Sequence, residues 1–291
     1  MPIRQFSAPR IRKIVRSWPG VRVERIECAL SDQAASLHVR LPEHAIYYEM
    51  SRGFQCSRKV AGHPRVEFVS RPGMVSFRPA GSETTGSTRG NGHLTYAAIF
   101  VDPHRIFSAE DHDLLPRDWR PATASTHPAL VQEAIALVEH CTADNAPDDR
   151  LAALYAQSHA ASLLITLATL QAPSPARVTA VSPRKLQRAQ VFIASRLDTT
   201  PSLAQIAEAA RLSVSQTIRL FRASTGMTPG TYVARLKIQE AARRLADSSS
   251  SIAQVADALG YNSQSHFARQ FRRHLGTTPS EYRKTHKEIP R

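Results

Sequence analysis

Segments of alternating apolar and polar residues fill much of the chain up to residue 100. The strings SLHVRL (36–41) and HLTYAAIF (93–100) place an apolar side chain at every second position, as do RVEFV (65–69) and MVSFRP (74–79). A period of two is that of a β-strand with one buried face. Turn-forming strings such as RPG and RPAG interrupt the series. We therefore expect a small β-barrel or sandwich built from short strands.

The period then changes to that of an α-helix. Apolar residues recur every three or four positions over 128–140 and 151–170, which predicts two helices. The apolar stripe of the second helix has two interpretations. It either covers the barrel or forms the contact between two subunits. The string QAPSPARVTAVSPR follows and carries three prolines, as linkers often do. We divide the chain into a domain at 1–170, a linker at 171–183 and a domain at 184–291.

The last third of the chain repeats itself. The segment LAQIAEAARLSVSQTIRLFRASTGMTPGTY (203–232) matches IAQVADALGYNSQSHFARQFRRHLGTTPSEY (252–282). Leading residues match at an offset of 49 and later residues at an offset of 50. The one extra residue therefore lies in the turn around Gly260-Tyr261-Asn262.

Each repeat is expected to form a helix, a tight turn and a second helix. A serine follows the turn and is a good N-cap. Gly226 and Gly276 are C-cap candidates, with Pro229 and Pro279 just beyond them. The apolar positions between these signals keep one face of the second helix inward. This is the helix-turn-helix arrangement, whose second helix enters the major groove of DNA.

A longer helix is expected to join the two repeats. The string TPGTYVARLKIQEAARRLADS carries an apolar stripe, and basic residues that include Lys237 occupy the rest of its surface. A helix of about 18 residues spans roughly 27 Å. Major grooves on one face of DNA lie about 34 Å apart. With the width of the repeats added, one chain can place both second helices in adjacent grooves.

Basic residues concentrate in the same third of the chain. The net charge is +14; from residue 183 onward 18 Lys and Arg stand against 7 Asp and Glu, and the rest of the chain carries 20 against 17. A basic domain attached to a nearly neutral one indicates nucleic acid or an anionic membrane as its partner. The chain has no run of about 18 apolar residues, and its N-terminus lacks the apolar core of a secretion signal. We expect a cytoplasmic protein without membrane contact.

The three cysteines, Cys28, Cys56 and Cys141, are scattered and lack a CxxC spacing. This pattern fits a reducing cytosol and indicates small buried hydrophobes rather than a disulfide framework. A DNA-repair protein that uses a cysteine as acceptor is a further alternative. No cysteine lies near the basic helical segments, which argues against it.

A longer motif marks the second repeat. It is a Gly-aromatic turn followed by Ser, Phe, Arg, Phe, a basic pair, Gly, Pro and Tyr-Arg. In this chain the motif comprises Gly260, Tyr261, Ser263, Phe267, Arg269, Phe271, Arg272, Arg273, Gly276, Pro279, Tyr282 and Arg283. With this motif and the order and spacing of its two repeats, the C-terminal third resembles the DNA-binding domain of the AraC/XylS family of bacterial transcription regulators.

The resemblance implies which side chains meet DNA. Base edges would be contacted by Ser215, Ile218, Arg219, Gln264, Ser265 and Arg269. Phosphates would be contacted by Ser213, Arg222, Ser263, Arg272 and Arg273. The chemistry agrees, because Arg can bind guanine O6 and N7 together and Gln can pair with adenine.

The first repeat departs from the family pattern. It has Thr217 where the family usually has leucine, and Ile218 where a polar residue is usual. Either the helix is rotated so that Ile218 is buried, which we favour, or Ile218 points outward and contacts a thymine methyl group.

The N-terminal half is similar to the cupin-type barrel and two helices that many members of this family carry. The resemblance implies a small-molecule effector in the barrel and a homodimer paired through the helices. Candidate pocket residues are Tyr47, Phe77, Arg78, Tyr96 and Phe100. The expected fold class is α+β: a cupin-like small β-barrel with two helices, then an all-α domain of two helix-turn-helix units joined by a long helix.

The function implied is that of a sequence-specific transcription regulator, with an activator favoured. It would bind promoter or operator double-stranded DNA, work with RNA polymerase, and be neither an enzyme nor dependent on a cofactor. The alternative is a cupin-type metalloenzyme with an accessory nucleic-acid-binding domain. Its candidate ligands are His38, His44, His63, Glu83 and His93. No His-x-His pair with a Glu close behind occurs among them, which argues against a bound metal.

Overall fold

The structure is a computed structural model that describes residues 3–6, 11–31, 34–112, 115–141, 150–172, 183–247 and 250–287. These residues form two compact units. One combines the residues up to 141 with 163–172, and the other combines 150–162 with 183–287. The boundary lies within one helix, all of which the sequence predicts to belong to the N-terminal domain. Most of the predicted linker, 173–182, lies outside the described residues.

The first unit contains two antiparallel sheets. Its strands are β1 (Ile3–Phe6), β2 (Ile11–Trp18), β3 (Val21–Leu30), β4 (Ala35–Arg40), β5 (His44–Glu49), β6 (Gln55–Val60), β7 (Val66–Val69), β8 (Val75–Arg78), β9 (Glu83–Arg89), β10 (Gly92–Val101) and β11 (Ala122–Ser125). One sheet has the order β1-β4-β9-β6-β7 and the other β11-β8-β5-β10-β3-β2. The four segments with a period of two coincide with β4, β7, β8 and β10.

The two sheets pack face to face. One apolar cluster joins Ile26 of β3 and Phe100 of β10 to Val39 of β4, which belongs to the other sheet. A second cluster joins Cys28 of β3 to Cys56 of β6 in the same way. Both cysteines are free and buried, as predicted for small hydrophobes. The space between the sheets is therefore the interior of this unit.

One helix of the first unit packs against the larger sheet. The helical elements here are a 3-10 turn (Pro103–Arg105), α1 (Ala109–His112), α2 (Pro128–Cys141) and α3 (Arg150–Gln171), the last shared with the second unit. Helix α2 contacts β3, β5 and β8. Its residues Leu130, Ala134 and Leu137 are buried against them, and they are spaced for one face of a helix.

Helix α3 is long and strongly apolar. By length and composition it could cross a membrane, but 78% of its most apolar window is buried inside the protein. Leu151, Leu154, Leu163 and Leu164 are each at most 1% exposed. Its apolar stripe is thus packed within the chain, but residues 150–162 belong to the second unit, so only the later part of the helix belongs with the barrel.

The second unit is helical. Besides residues 150–162 of α3 it contains α4 (Pro183–Ala194), α5 (Leu203–Ala210), α6 (Val214–Thr225), α7 (Pro229–Asp247), α8 (Ile252–Ala258), α9 (Gln264–Leu275) and α10 (Pro279–Lys287). Helices α5 and α8 begin 49 residues apart, and α6 and α9 begin 50 apart. The duplicated helix-turn-helix arrangement and the extra residue in the second turn are therefore confirmed.

Caps fix where the repeated helices begin and end. The hydroxyls of Ser213, Ser251 and Ser263 each accept a hydrogen bond from an amide in the first helical turn. Gly226 and Gly276 close α6 and α9 in the left-handed conformation, with φ of 71° and 76°. Both caps satisfy backbone groups that a helix end leaves without partners.

A buried lysine ties the two repeats together. Lys237, in the middle of α7, is 0% exposed, which corrects its predicted place on the helix surface. Its ammonium donates to the Thr200 hydroxyl, and to the carbonyl of Leu259 at 2.5 Å. Thr200 precedes the first repeat, and Leu259 lies in the turn of the second. These two bonds supply the partners that a buried ammonium requires.

Candidate nucleic-acid interface

Aromatic rings anchor the inner face of α9. Phe267 and Phe271 are fully buried, and their ring centroids lie 5.6 Å apart. Tyr261, in the preceding turn, packs on Phe267 at 5.2 Å, and Tyr282 of α10 packs on Phe271 at 5.4 Å. Edge-to-face contacts of this kind fix the rotation of the helix about its axis. That rotation decides which side chains face solvent.

The outer face of α9 carries the predicted DNA-contacting side chains of the second repeat. Gln264, Ser265, Arg269, Arg272 and Arg273 are all exposed. They follow one side of the helix from its N-terminus to its last turn, and the helix contains no acidic residue. This stripe offers an amide and a hydroxyl at the N-terminal end, followed by three guanidinium groups. It is a surface that can meet base edges and then phosphates.

Helix α6 presents a narrower polar face. Ser215 and Ile218 are 0% and 1% exposed, whereas Gln216 is exposed and Arg219 is half-buried. Ser215 and Ile218 therefore do not lie on the outer face, which corrects the base contacts that the resemblance implied for them.

The departure of α6 from the family pattern follows from its packing. Thr217 is also 0% exposed, and its hydroxyl donates to the carbonyl of Ser213 at 2.8 Å. The threonine thus satisfies its polar group within the helix while lying in the interior. Ile218 takes an inward position beside it, as the buried alternative expected.

The predicted phosphate contacts differ in their availability. Ser213 and Ser263 use their hydroxyl oxygens to cap α6 and α9. Arg222 is half-buried and donates to the carbonyl of Gly226 at 3.1 Å and to the hydroxyl of Ser162 at 3.4 Å. Its guanidinium is therefore committed inside the unit.

The spacer between the repeats is one continuous helix. Helix α7 has 19 residues, which corresponds to about 28 Å. The sequence predicted about 18 residues.

Residues 150–162 contact the start of α7, which the sequence did not indicate. The Gly230 amide donates to the Ser158 hydroxyl at 3.1 Å. The ring nitrogen Nε2 of His159 lies 3.0 Å from the hydroxyl of Thr231. A Cβ atom on Gly230 would come within 2.7 Å of the Tyr155 Cα, so only glycine fits at this contact.

A small cavity lies between the two sheets of the first unit. Of the predicted pocket residues, Tyr47, Arg78 and Tyr96 line it. Glu49 and Arg58 also line it and were not predicted. Glu49 is two residues from Tyr47 on β5, so the strand period that selected Tyr47 could also have selected Glu49.

Phe77 and Phe100 are not among the lining residues, which corrects their predicted role. Side chains alternate along β8, so Arg78 turns toward the cavity and Phe77 turns to the outer face. There its ring lies 5.2 Å from that of Trp119. Phe100 faces inward but is packed within the apolar cluster, with the guanidinium of Arg22 4.1 Å from its ring centre.

The candidate metal ligands do not converge. His38 pairs with Glu83 at 2.7 Å, whereas His44 accepts a hydrogen bond from the Ala80 amide at 3.0 Å on another strand. Among the residues that the structure describes, no three His, Cys, Asp or Glu side chains are grouped to hold a metal ion.

Comparison with known proteins places similarity in the second unit. Residues 206–285 match the helix-turn-helix domain family. An uncharacterized HTH-type transcriptional regulator of Haemophilus influenzae is 32% identical over 106 residues, 36% of each chain. A putative AraC-like transcription regulator of Streptomyces antibioticus is 37% identical over 83 residues, 28% of this chain and 27% of the relative.

A solved structure matches a similar share of this chain. It is the AraC-type DNA-binding domain-containing transcriptional regulator from Chromobacterium violaceum, 30% identical, with a TM-score of 0.35. The match covers 36% of this chain and 95% of that one. The chain thus spans about a third of the length of these two curated relatives.

Proposed function

We propose that this protein, whose C-terminal part carries an AraC-type helix-turn-helix domain matched over residues 206–285, is a sequence-specific DNA-binding regulator of transcription. One observation carries the proposal. Two copies of a helix-turn-helix unit are joined by a continuous 19-residue helix, and the second copy exposes a polar and basic stripe on α9. A single chain would then contact two neighbouring major grooves.

The second repeat supplies most of the base contacts in this proposal. Arg269 and Gln264 lie on the exposed face of α9, and Arg219 is the accessible basic side chain of α6. Arg272 and Arg273 contact phosphates. Because α6 buries two of its predicted contacts, the half-site under α9 is expected to show the stronger base preference.

The first unit is proposed to be a cupin-like domain that senses a small molecule and pairs two subunits. The cavity between its sheets supports the sensing role, because buried polar side chains line a partly enclosed space. Exposed Ile11, Ile14 and Val15 on the edge strand β2 support pairing between copies. The proposed setting is the cytoplasm, with activation through RNA polymerase at the promoter.

Effector binding would act by shifting an equilibrium between DNA-competent and DNA-incompetent arrangements. Such a shift requires that the effector bind the two arrangements with different affinities. The metalloenzyme alternative is not favoured, because its candidate ligands do not converge among the described residues. Stoichiometric iron, manganese or zinc in the purified full-length protein would favour it over the regulator.

Selection of bound genomic fragments, followed by footprinting, tests the proposal. We expect protection of two segments on one face of the duplex, about one helical turn apart. Protection confined to a single groove, or the absence of any sequence preference above that of a random duplex at the same salt concentration, would contradict it.

A further inference from the structure

The cavity between the sheets contains a buried carboxylate. Glu49 is 8% exposed, and its backbone is fixed by hydrogen bonds with Met74 and Gly73. None of the described residues donates a hydrogen bond to its carboxylate or forms an ion pair with it. Burial raises the pKa of this carboxyl group, and the nearby Arg58 opposes that effect. A carboxylate that lines a cavity and accepts no hydrogen bond from the described residues is available to a ligand that donates one.

Two guanidinium groups line the same cavity. Arg78 is 6% exposed and donates through Nη1 to the carbonyls of Phe77 and Ala122, at 2.9 and 2.7 Å. Its Nε and Nη2 hydrogens are not used in these bonds. Arg58 donates to the Ser87 carbonyl at 2.6 Å, and its charge acts on both Glu49 and Arg78. Two positive groups against one carboxyl group give the cavity an excess of positive charge.

The strand register separates Arg78 from Glu49. Arg78 on β8 is opposite Ala45 on β5, and Glu49 lies four residues further along β5. Four residues of strand correspond to about 13 Å between the backbone positions. Tyr47 lies between them, opposite Ser76. The cavity is thus a slot with Arg78 toward one end and Glu49 toward the other, and Arg58 interacts with both.

The slot is small. Its free space corresponds to roughly four water-sized groups. A carboxylate matches the planar fork of Arg78 and neutralises the excess charge. A hydroxyl group can donate to Glu49. An apolar acid would leave that carboxyl group without a partner.

We propose that this cavity binds a short-chain hydroxy acid, with its carboxylate on Arg78 and a hydroxyl donating to Glu49. This inference rests on the proposed sensing role and names the chemical class of the effector. Neutral polyols lack the group that Arg78 would bind, and short amines carry the wrong charge for the site.

Four compounds of similar size test the class. Glycerate carries both groups, glycerol lacks the carboxylate, and propionate lacks the hydroxyls. Serinol keeps two hydroxyls, lacks the carboxylate and carries an ammonium on its central carbon. Binding of each to the full-length protein is measured by calorimetry and by the shift in melting temperature. We expect glycerate to bind at least about tenfold more tightly than each of the others. Equal binding of glycerol or serinol, or no binding of glycerate, would overturn the proposal.

Two variants locate the site. Arg78→Lys keeps the charge but loses the fork, and should weaken glycerate binding at least about tenfold. Glu49→Met removes the acceptor at a similar side-chain volume, and should abolish the preference for glycerate over propionate while still allowing the chain to fold. Glu83→Met, at a half-buried carboxylate that pairs with His38 outside the cavity, is the matched control. An unchanged preference in Glu49→Met would overturn the assignment even if Arg78→Lys fails to fold.

The same protein samples separate this inference from the proposed function. If none of the four compounds binds but the two-groove footprint is present, the ligand class is wrong and the regulator stands. If glycerate binds as expected but no DNA is protected, the proposed function is wrong and the assignment of the cavity stands.

Discussion

Arg269 and Arg272 share the exposed face of α9 but are expected to act differently on DNA. Replacement of Arg269 by Ala should weaken binding to the selected DNA site by about 1–3 kcal/mol and relax the base preference at one position of that site. Arg272→Ala should weaken binding to all DNA sequences about equally. It should also make binding less dependent on salt concentration, by the amount expected for the loss of about one phosphate contact. Binding of each variant to the site and its single-base changes, at several salt concentrations, measures both effects. Identical behaviour would remove Arg269 from the base contacts.

The residue scale also shows where prediction from the sequence stops. The stripe on α9 was predictable because the motif from Tyr261 to Tyr282 determines both its inner rings and its outer polar groups. Ser215 and Ile218 were assigned by position in the repeat alone, and their burial depends on packing around α6. Phe77 was selected for its type, although the strand period excludes it from the face that Arg78 occupies.

The turn between α8 and α9 is tighter than its sequence suggests. Gly260 has φ +67°, and a Cβ atom there would lie 2.0 Å from the carbonyl oxygen of Asp198. Gly276 has a similar φ of +76° with open space around it. Gly276→Ala should therefore cost only the left-handed backbone strain, about 1–2 kcal/mol. Gly260→Ala should cost about 2 kcal/mol more, because the backbone at Asp198 must move.

Urea unfolding followed by helical circular dichroism measures this difference. Gly276→Ala serves as the matched control because both replacements add one methyl group at a left-handed glycine. Equal losses in the free energy of unfolding would mean that the contact between Gly260 and Asp198 contributes nothing to the packing of the second repeat.

Most elements could be predicted, and most of their long-range contacts could not. Serine caps, glycine stops and the internal repeat determine the helices of the second unit from local signals. Lys237 gave no such signal, since a lysine on an amphipathic helix is usually exposed, and its two acceptors lie 37 and 22 residues away in sequence. The contact of Ser158 with Gly230 likewise joins segments 72 residues apart.

At the scale of the whole molecule, the division of the chain differs from the predicted one. Helix α3 has one continuous apolar pattern, so nothing in its sequence marks a boundary at residue 163. The contacts of residues 150–162 with α7 decide to which unit they belong. The unfolding of each unit can therefore be followed separately only by a spectroscopic signal from residues that lie wholly within that unit.

Each unit contains a buried histidine that favours the neutral form. Burial lowers the pKa of His44 to about 4, with Asp102 opposing the change and His104 adding to it. Burial lowers the pKa of His159 to about 3, and the charge of Arg273 adds to the effect. In the unfolded chain a histidine titrates near 6.5. Below that pH the unfolded state binds more protons, so stability falls as the pH falls.

We therefore expect both units to be most stable above about pH 6.5 and to lose stability toward pH 4. Each histidine contributes a loss of up to about 3 kcal/mol, at 1.36 kcal/mol per pH unit. Tryptophan fluorescence reports the first unit, because Trp18 and Trp119 both lie there and the Trp119 ring is 5.3 Å from that of His44. Helical circular dichroism reports mainly the second unit.

Asparagine variants assign the loss to each histidine. His44→Asn should flatten the acid dependence of the fluorescence transition, and His159→Asn that of the circular dichroism transition, since each removes one proton uptake on unfolding. His63→Asn, at an exposed position of the first unit, should leave both slopes unchanged. If His44→Asn and His63→Asn gave the same slope as the unmodified chain, acid unfolding of the first unit would have to begin at its carboxyl groups instead.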